Sequence, residues 1–376
     1  MSGRRGTEGL GDDLVRQRRV VEGRSPSYAR ALALLPAVLE GTPGRFLAAA
    51  WEGRVFQAWY DRPLLLLAAL RADARAEGPS HPLFAAFAAE PPEPETLTAG
   101  ALAAALDGSR ERVFDALATR GVSTNDTSRA VAWLWPAALA GASGGARPLV
   151  LVDVGASAGL NLAADLLTAI WFDPAGEALE VATDVRTVAR LGLDPAPLDV
   201  SRAEDVEWLR ACIWPGDHDR AARLEASIAA FRTAHVRPDG PVLAPVAARN
   251  VPARLDVLSA AQRGTLVLAY QTIVRDYLDA AERAEYAEGM RGWLAAQPPG
   301  DALWVELEPV EGGPEELGAS IVAHARSPDA GAVVTLELAR CGYHPRLVVP
   351  RPAEVEALRG LLARGAAAAE EAAQPP

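Results

Sequence analysis

The sequence predicts an α/β fold: a mostly parallel sheet wound with helices, with an all-helical domain or cap before it. Three observations carry this expectation. Arg147-Pro-Leu-Val-Leu-Val-Asp153 is an apolar run ending in an acid, and short unbroken apolar runs of this kind are buried parallel strands. From Val150 to Leu307 strand patterns alternate with helical ones, which implies βα units and a parallel sheet. From Val15 to about Gly141 every periodic stretch is helical. Small residues at alternate positions follow Asp153, and a tight turn at the carboxyl edge of a parallel sheet belongs to the Rossmann-like class.

The bulk numbers narrow the chemistry. A chain of 376 residues, half of them apolar, has room for one large domain or two ordinary ones. The formal charge of −12 argues against nucleic acid or an anionic membrane as partner. All 37 basic residues are arginine; without lysine there is no Walker-A loop, Schiff base or pyridoxal-phosphate anchor. Cys212 and Cys341 are lone and far apart, which suits a reducing compartment. No segment has the eighteen or so apolar residues of a membrane span. A cytoplasmic protein acting on a small molecule is expected, its oligomeric state open.

Taken in order, residues 1–14 are expected to be disordered. Ser27 to Leu39 has helical spacing and stops at Gly41-Thr-Pro-Gly44. Pro63 suits the first turn of a helix running to Arg71. Ser109 and Gly121 frame a helix over Arg110 to Arg120. The polar loop Val122-Ser-Thr-Asn125-Asp126-Thr-Ser-Arg129 opens another helix. Either Asp126 or Thr127 caps that helix, or Asn125 and Arg129 reach into a ligand pocket. Ala140-Gly-Ala-Ser-Gly-Gly145 reads as a joint, so a helical domain is placed over 15–145 and the sheet domain over 146–358. Glu177 to Asp184 is the candidate second strand, with Val188 to Asp194 a short extension. Pro241 to Ala248 and Gly264 to Tyr270 are further strands. A helix follows from about Arg275 to Ala296, then the strand Ala302 to Leu307. Gly331 to Leu338 and Arg346 to Val349 read as a closing hairpin. An Ala/Glu-rich tail, frayed or disordered, spans 359–376.

The stretch Asp153-Val-Gly155-Ala156-Ser157-Ala-Gly159-Leu-Asn161 admits two chemistries. Small residues let the backbone turn sharply and approach a ligand closely, and the helix that follows offers amides to an electron-rich group. The dinucleotide fingerprint G-x-G-x-x-G fits badly, because Ser157 and Leu160 stand at two of its glycines. The pattern is nearer to acid-x-G-x-G-x-G, the first motif of S-adenosylmethionine-dependent methyltransferases, with serine for the middle glycine. Such enzymes bind the ribose hydroxyls with an acid at the end of the next strand. Asp184 lies 25 residues after Gly159, near the spacing of roughly 20 expected of it; Asp194 is the other choice. The second chemistry reads Gly155-Ala-Ser157-Ala-Gly159 as G-x-S-x-G, a nucleophile elbow, with His324 and His344 downstream. An α/β-hydrolase needs strands before its elbow, and only helical patterns precede this one. The five histidines have no H-E-x-x-H spacing, and no metal site is assigned.

Four motifs occur in one order: Thr119-Arg-Gly-Val-Ser-Thr-Asn125-Asp, Val154-Gly-Ala-Ser-Ala-Gly-Leu-Asn-Leu162, Leu191-Gly-Leu-Asp194-Pro-Ala-Pro-Leu-Asp199-Val, and Trp208-Leu-Arg-Ala-Cys-Ile-Trp214-Pro. From about Ser27 to about Val349 the chain resembles an uncharacterised bacterial family, domain of unknown function 2332. The resemblance implies a fold similar to class I methyltransferases and brings no reaction with it. Relatives tend to carry glutamate where Asp126 and Asp184 stand, and Phe-His-Ser where Tyr270-Gln-Thr272 stands, so histidine chemistry is not expected at that strand end. The expected ligand is S-adenosylmethionine. Its binding set is Asp153, Gly155, Ala156, Ser157, Gly159, Asn161, and Asp184 or Asp194; Asn125, Arg129, Tyr270 and Gln271 face the methyl acceptor. No catalytic residue is assigned.

Overall fold

A computed structural model describes residues 3–143, 147–168, 171–182, 185–310, 315–329 and 331–373. The apolar run Leu149–Val154 is strand β1, and all of its residues are buried. β2 (Thr187–Asp194), β3 (Pro241–Pro245), β4 (Leu266–Thr272), β5 (Ala302–Pro309), β6 (Ala319–Arg326), β7 (Val333–Cys341) and β8 (Val348–Pro350) join it. They form an eight-stranded sheet in the order β8-β7-β6-β5-β4-β1-β2-β3. The five strands from β3 to β5 are mutually parallel. β6, β7 and β8 are added antiparallel, one after another. The α/β class with a large, mostly parallel sheet therefore holds. β1 pairs with β2 on one side and β4 on the other. The winding direction reverses there, and such a reversal leaves a crevice beyond the carboxyl ends of the two strands.

The chain divides into two compact units, one of residues 1–124 with 199–224, the other of residues 125–198 with 225–376. In the sheet unit both faces are covered, which is why the central strands read as unbroken apolar runs. Leu149, Leu151, Leu268, Leu303 and Val305 meet Trp133 and Trp135 of helix Val131–Ala142, and Leu358 and Leu362 of helix Pro352–Ala373. On the opposite face Val150, Val152, Val267 and Trp304 meet Leu255 of helix Val251–Ala261, and Tyr286, Met290 and Trp293 of helix Ala280–Ala296. Asp279 starts the last of these helices with a capping box completed by Glu282. The helix Pro352–Ala373 carries the Ala/Glu-rich tail, and alanine is the best helix former.

In the helical unit residues 4–14, part of a segment expected to be disordered, are anchored. Asp13 is 1 % exposed and accepts from Arg62 Nε at 3.1 Å, with Arg4 as a second ion-pair partner. Arg62 Nη1 also donates to the Glu8 carbonyl at 2.6 Å. Arg71 draws residues 199–224 into the same unit by donating to the Phe87 carbonyl at 2.9 Å and the Arg210 carbonyl at 3.0 Å. Among the described residues no helix is long and apolar enough to cross a membrane.

The second strand differs from expectation. Thr187–Asp194, not Glu177 to Asp184, pairs with β1; between 177 and 182 there is only a bridge from Ala178 to Phe172. The segment after the β1 turn is a 3₁₀ helix, Leu160–Leu166, broken at Ala163. Arg190 of β2, 4 % exposed, fixes it with a fork onto Asp165 at 2.6 and 2.8 Å and a contact to the Leu162 carbonyl. Arg190→Met should lower stability by about 3–5 kcal/mol, because it leaves the Asp165 charge buried and unpaired. Urea unfolding followed by tryptophan fluorescence checks this, with partial recovery expected when Asp165→Asn is added; a loss under about 1 kcal/mol would mean the pair is not a buried one.

Candidate functional site

The turn after β1 is built on positive φ. Gly155 and Gly159 have φ of 72° and 69°, and Ser157 between them has 51°. A side chain at Gly155 would place its Cβ 2.6 Å from Val274 Cγ2, and one at Gly159 would place it 2.6 Å from Leu243 Cδ2. Positive φ favours glycine at both positions, and a side chain there would also have to displace Val274 or Leu243. Serine tolerates the left-handed region poorly, at a cost of about 1–3 kcal/mol, and needs support. Asp194, the last residue of β2, accepts from the Ser157 amide at 2.9 Å. Asn125 donates to Ser157 Oγ at 2.8 Å and accepts from the Ala158 amide at 3.1 Å. Gly155 and Ala156 donate to the Leu193 carbonyl at 2.8 and 3.3 Å, and Gly159 to the Ala156 carbonyl at 2.7 Å.

Every amide from Gly155 to Gly159 thus has an internal acceptor. The Gly155 backbone is exposed, while Ser157 and Asp194 are half-buried. Asp194 holds one amide on each carboxylate oxygen, Ser157 on Oδ2 and Ala196 at 2.8 Å on Oδ1. An ionised carboxylate offers about four acceptor positions, so one remains on each oxygen.

Behind the turn, buried polar side chains lie on the face covered by helix Val131–Ala142. Asp153 is 3 % exposed and stands opposite Tyr270 across the β1–β4 pair. Burial pushes its carboxyl up to about 8; the nearby Tyr270 hydroxyl offsets part of this and the Asp194 charge adds to it. That hydroxyl lies against the Asp153 carboxyl without the geometry of a full hydrogen bond. The Tyr270 ring lies 6.4 Å from that of Trp133, whose Nε1 donates to the Asn161 carbonyl at 2.9 Å. Asn161 Oδ1 is buried without a hydrogen-bond donor. An uncompensated buried polar atom is costly, and Asn161 Oδ1 suits a site completed by a ligand or water.

Gln271 faces the other side of the sheet. It is fully buried and donates to Glu308 Oε1 at 2.6 Å and Glu306 Oε1 at 3.2 Å. Its carbonyl oxygen accepts from the Tyr286 hydroxyl at 2.6 Å and from Trp304 Nε1 at 3.2 Å. His324 Nε2 meets Glu306 Oε2 at 2.8 Å, and the imidazole stacks on Trp304 with centroids 4.2 Å apart. Glu308 also takes the Val274 amide at 3.0 Å, which steadies Ile273 at φ 56°, an unusual conformation for a β-branched residue. Burial raises the Glu308 carboxyl to about 7, with Gln271 and the Val274 amide pulling it down.

The structure therefore gathers Asn125, Asp153, Gly155, Ala156, Ser157, Gly159, Asn161, Asp194 and Tyr270 about the end of β1. Gln271 belongs to the opposite face. Arg129 donates from Nε to the Tyr343 carbonyl at 2.9 Å. Asp184 lies outside the described residues. Glu306 and Glu308 were missed, although two acids at alternate positions of an apolar strand share one face and were visible as such. The pairing of Asp126 with His344, 2.9 Å apart, carries no local signal. Among the described residues one ligand set has metal-like spacing, Asp73, Glu77 and His81. Arg112 and Arg110 already neutralise its carboxylates, at 2.9 and 3.4 Å from Asp73. Burial opposes ionisation of Asp73, but the His81 and Arg112 hydrogen bonds outweigh it and hold the carboxyl below its ordinary value.

The family described as an uncharacterized protein conserved in bacteria, domain of unknown function 2332, matches residues 12–349. The chain belongs to this family. No curated protein and no solved structure matches it.

Asp153 and Glu308 give the site a pH signature. Between the ordinary carboxyl range and their folded values of about 8 and about 7, the unfolded chain has lost these protons and the folded chain keeps them. Stability therefore falls as pH rises through that window, by up to about 1.4 kcal/mol per pH unit for each group. Asp153→Asn and Glu308→Gln should each flatten the decline in denaturation midpoint between about pH 5 and pH 8. An unchanged slope in Asp153→Asn would show that its proton is not retained.

Proposed function

We propose that the sheet unit is a Rossmann-like, methyltransferase-like module that binds S-adenosylmethionine at the end of β1 and acts on a small molecule. The observation that carries this reading is Asp194. It ends the strand beside β1, and two amides orient its carboxylate with one acceptor position left on each oxygen. Two neighbouring acceptors suit the vicinal hydroxyls of a ribose. Further support comes from the strand order 3-2-1-4-5 about the reversal, the exposed backbone of Gly155 and the unpartnered Asn161 Oδ1. Asp194 takes the role left open between it and Asp184. Asp153 shapes the pocket as a largely protonated acid. Methyl transfer relies on positioning and in-line geometry, so a site without a conspicuous catalytic pair is compatible with it.

One observation favours a second reading, a ligand-binding module without turnover. The turn's amides are already bonded, to Asp194 and Asn125 among others, so a ligand carboxylate gains them only by displacing those side chains. The serine-hydrolase reading has less support. Asn125 occupies both Ser157 Oγ and the Ala158 amide, and the latter is the donor an elbow uses for its oxyanion.

Calorimetry with S-adenosylmethionine tests the reading. Wild-type protein should bind it, and Asp194→Asn should weaken binding at least about tenfold, since hydrogen bonds to a charged group contribute roughly 1.5–3 kcal/mol each. No heat and no thermal shift at millimolar ligand would overturn it. A fluorophosphonate probe should leave Ser157 unlabelled; labelling abolished in Ser157→Ala would replace this reading with the hydrolase.

A further inference from the structure

We propose that Glu308 is a proton-operated clamp: its ionised carboxylate grips the Val274 amide and, through the Val274 side chain, steadies the turn after β1. The clamp needs no particular ligand, so it stands whether or not the function proposed above holds. It makes the firmness of that turn depend on pH, through a group on the side of the sheet that Gln271 faces.

The end of β5 grips the segment after β4 at two successive residues. The Leu307 carbonyl accepts from the Ile273 amide at 2.8 Å. Glu308 Oε1 accepts from the Val274 amide at 3.0 Å and from the Arg275 amide at 3.3 Å. Ile273 is thereby kept at φ 56°, a conformation that a β-branched residue adopts only under constraint. Val274 lies directly against the turn: a Cβ at Gly155 would stand 2.6 Å from its Cγ2 and 3.8 Å from its Cβ. The hydrogen bond to Glu308 and the contact with the turn thus fall on one residue.

The surroundings of Glu308 suit an anion. Oε1 also accepts from Gln271 Nε2 at 2.6 Å, and Oε2 accepts from the Arg275 amide at 3.3 Å. Gln271 cannot turn its oxygen to Glu308, because Trp304 Nε1 only donates and holds that oxygen at 3.2 Å. The Arg275 guanidinium stands 3.8 Å from Glu308 Oε2 and 4.0 Å from Glu306 Oε1. Glu306, on the same strand, opposes ionisation of Glu308 and itself meets His324 of β6 at 2.8 Å. From helix Ala280–Ala296, Tyr286 donates to Gln271 at 2.6 Å, and burial keeps its phenol protonated. Arg283 of that helix donates to the Arg275 carbonyl at 2.7 Å.

A proton removes the charge and turns one carboxyl oxygen into a donor. Charge-assisted hydrogen bonds are roughly twice as strong as neutral ones, so protonation slackens the hold on Val274 and lets Ile273 relax. Burial is the largest influence on the carboxyl and lifts it to about 7, while the Gln271 and Val274 hydrogen bonds and the Arg275 charge pull it down. Those bonds favour ionisation, and by linkage ionisation favours those bonds. Burial is common to the tight and slack forms, so the clamp tightens as pH rises through about 7. Global stability moves the other way over the same range, because unfolding removes the burial as well.

Amide resonances of the full ¹⁵N-labelled chain, followed across the neutral pH range, read the clamp without any ligand. The Val274 and Gly155 amides should both move with a midpoint of about 7. Glu308→Gln keeps the size of the side chain and should abolish that movement in both. Asp153 also titrates beside Gly155, at about 8, and its response should persist in Glu308→Gln. Val274→Ala keeps the amide and removes the contact, so residue 274 should still titrate while Gly155 loses its share. That comparison decides the matter even where Glu308→Gln does not fold. A Val274 amide that does not titrate, or that titrates unchanged in Glu308→Gln, would overturn the clamp. A Gly155 amide lacking the Val274 midpoint in wild type, or keeping it in Val274→Ala, would overturn the transmission to the turn.

Discussion

Two side-chain oxygens, Oδ2 of Asp194 and Oδ1 of Asn125, hold the turn after β1 in a shape it would not keep alone. Ser157 sits at φ 51° and Asn125 at φ 38°, conformations that cost about 1–3 kcal/mol each in non-glycine residues. Hydrogen bonds to a charged acceptor contribute roughly 1.5–3 kcal/mol, enough to offset the strain at Ser157. Gly155 and Gly159 fit because Val274 and Leu243 fill the space where their Cβ atoms would be. The turn is thus fixed from β2, from the segment after β4 and from the polar loop before helix Val131–Ala142. Strain over-determined by its surroundings is the usual mark of a functional edge.

The edge is two-sided. On one face Asp153 stands opposite Tyr270, and Asn161 Oδ1 nearby has no hydrogen-bond donor. On the other Gln271, Glu306, Glu308 and His324 form a network in which the donors and acceptors answer one another. A satisfied buried network rigidifies, and here it braces the strained Ile273 whose neighbour Val274 abuts Gly155. The first face is suited to a ligand and the second to support.

Much of this was legible in the sequence where one principle dominated. Leu149–Val154 and Leu266–Thr272 are buried on both faces, so their apolar runs marked them as strands. The glycine turn was legible because positive φ demands small residues. The second strand was misplaced because Thr187–Asp194 contains Arg190, a charge made tolerable inside the sheet by the Asp165 fork and by Asp239. β6 was missed because Ala319-Ser-Ile-Val-Ala-His-Ala-Arg mixes small and polar residues, and its His324 is stabilised by Glu306 and Thr335 on other strands. The order of residues 4–14 depends on Asp13 meeting Arg62 across 49 positions of chain. Asp126 and His344 are farther apart still. Long-range ion pairs of this kind leave no local pattern.

Backbone amide shifts in ¹⁵N-labelled protein, followed through a titration with S-adenosylmethionine, test the central claim most directly. Shifts concentrated at Gly155–Gly159 and at Ala196, whose amide shares the Asp194 carboxylate, are what this account predicts. Saturating changes confined to other parts of the sheet unit, or none at millimolar ligand, would contradict it.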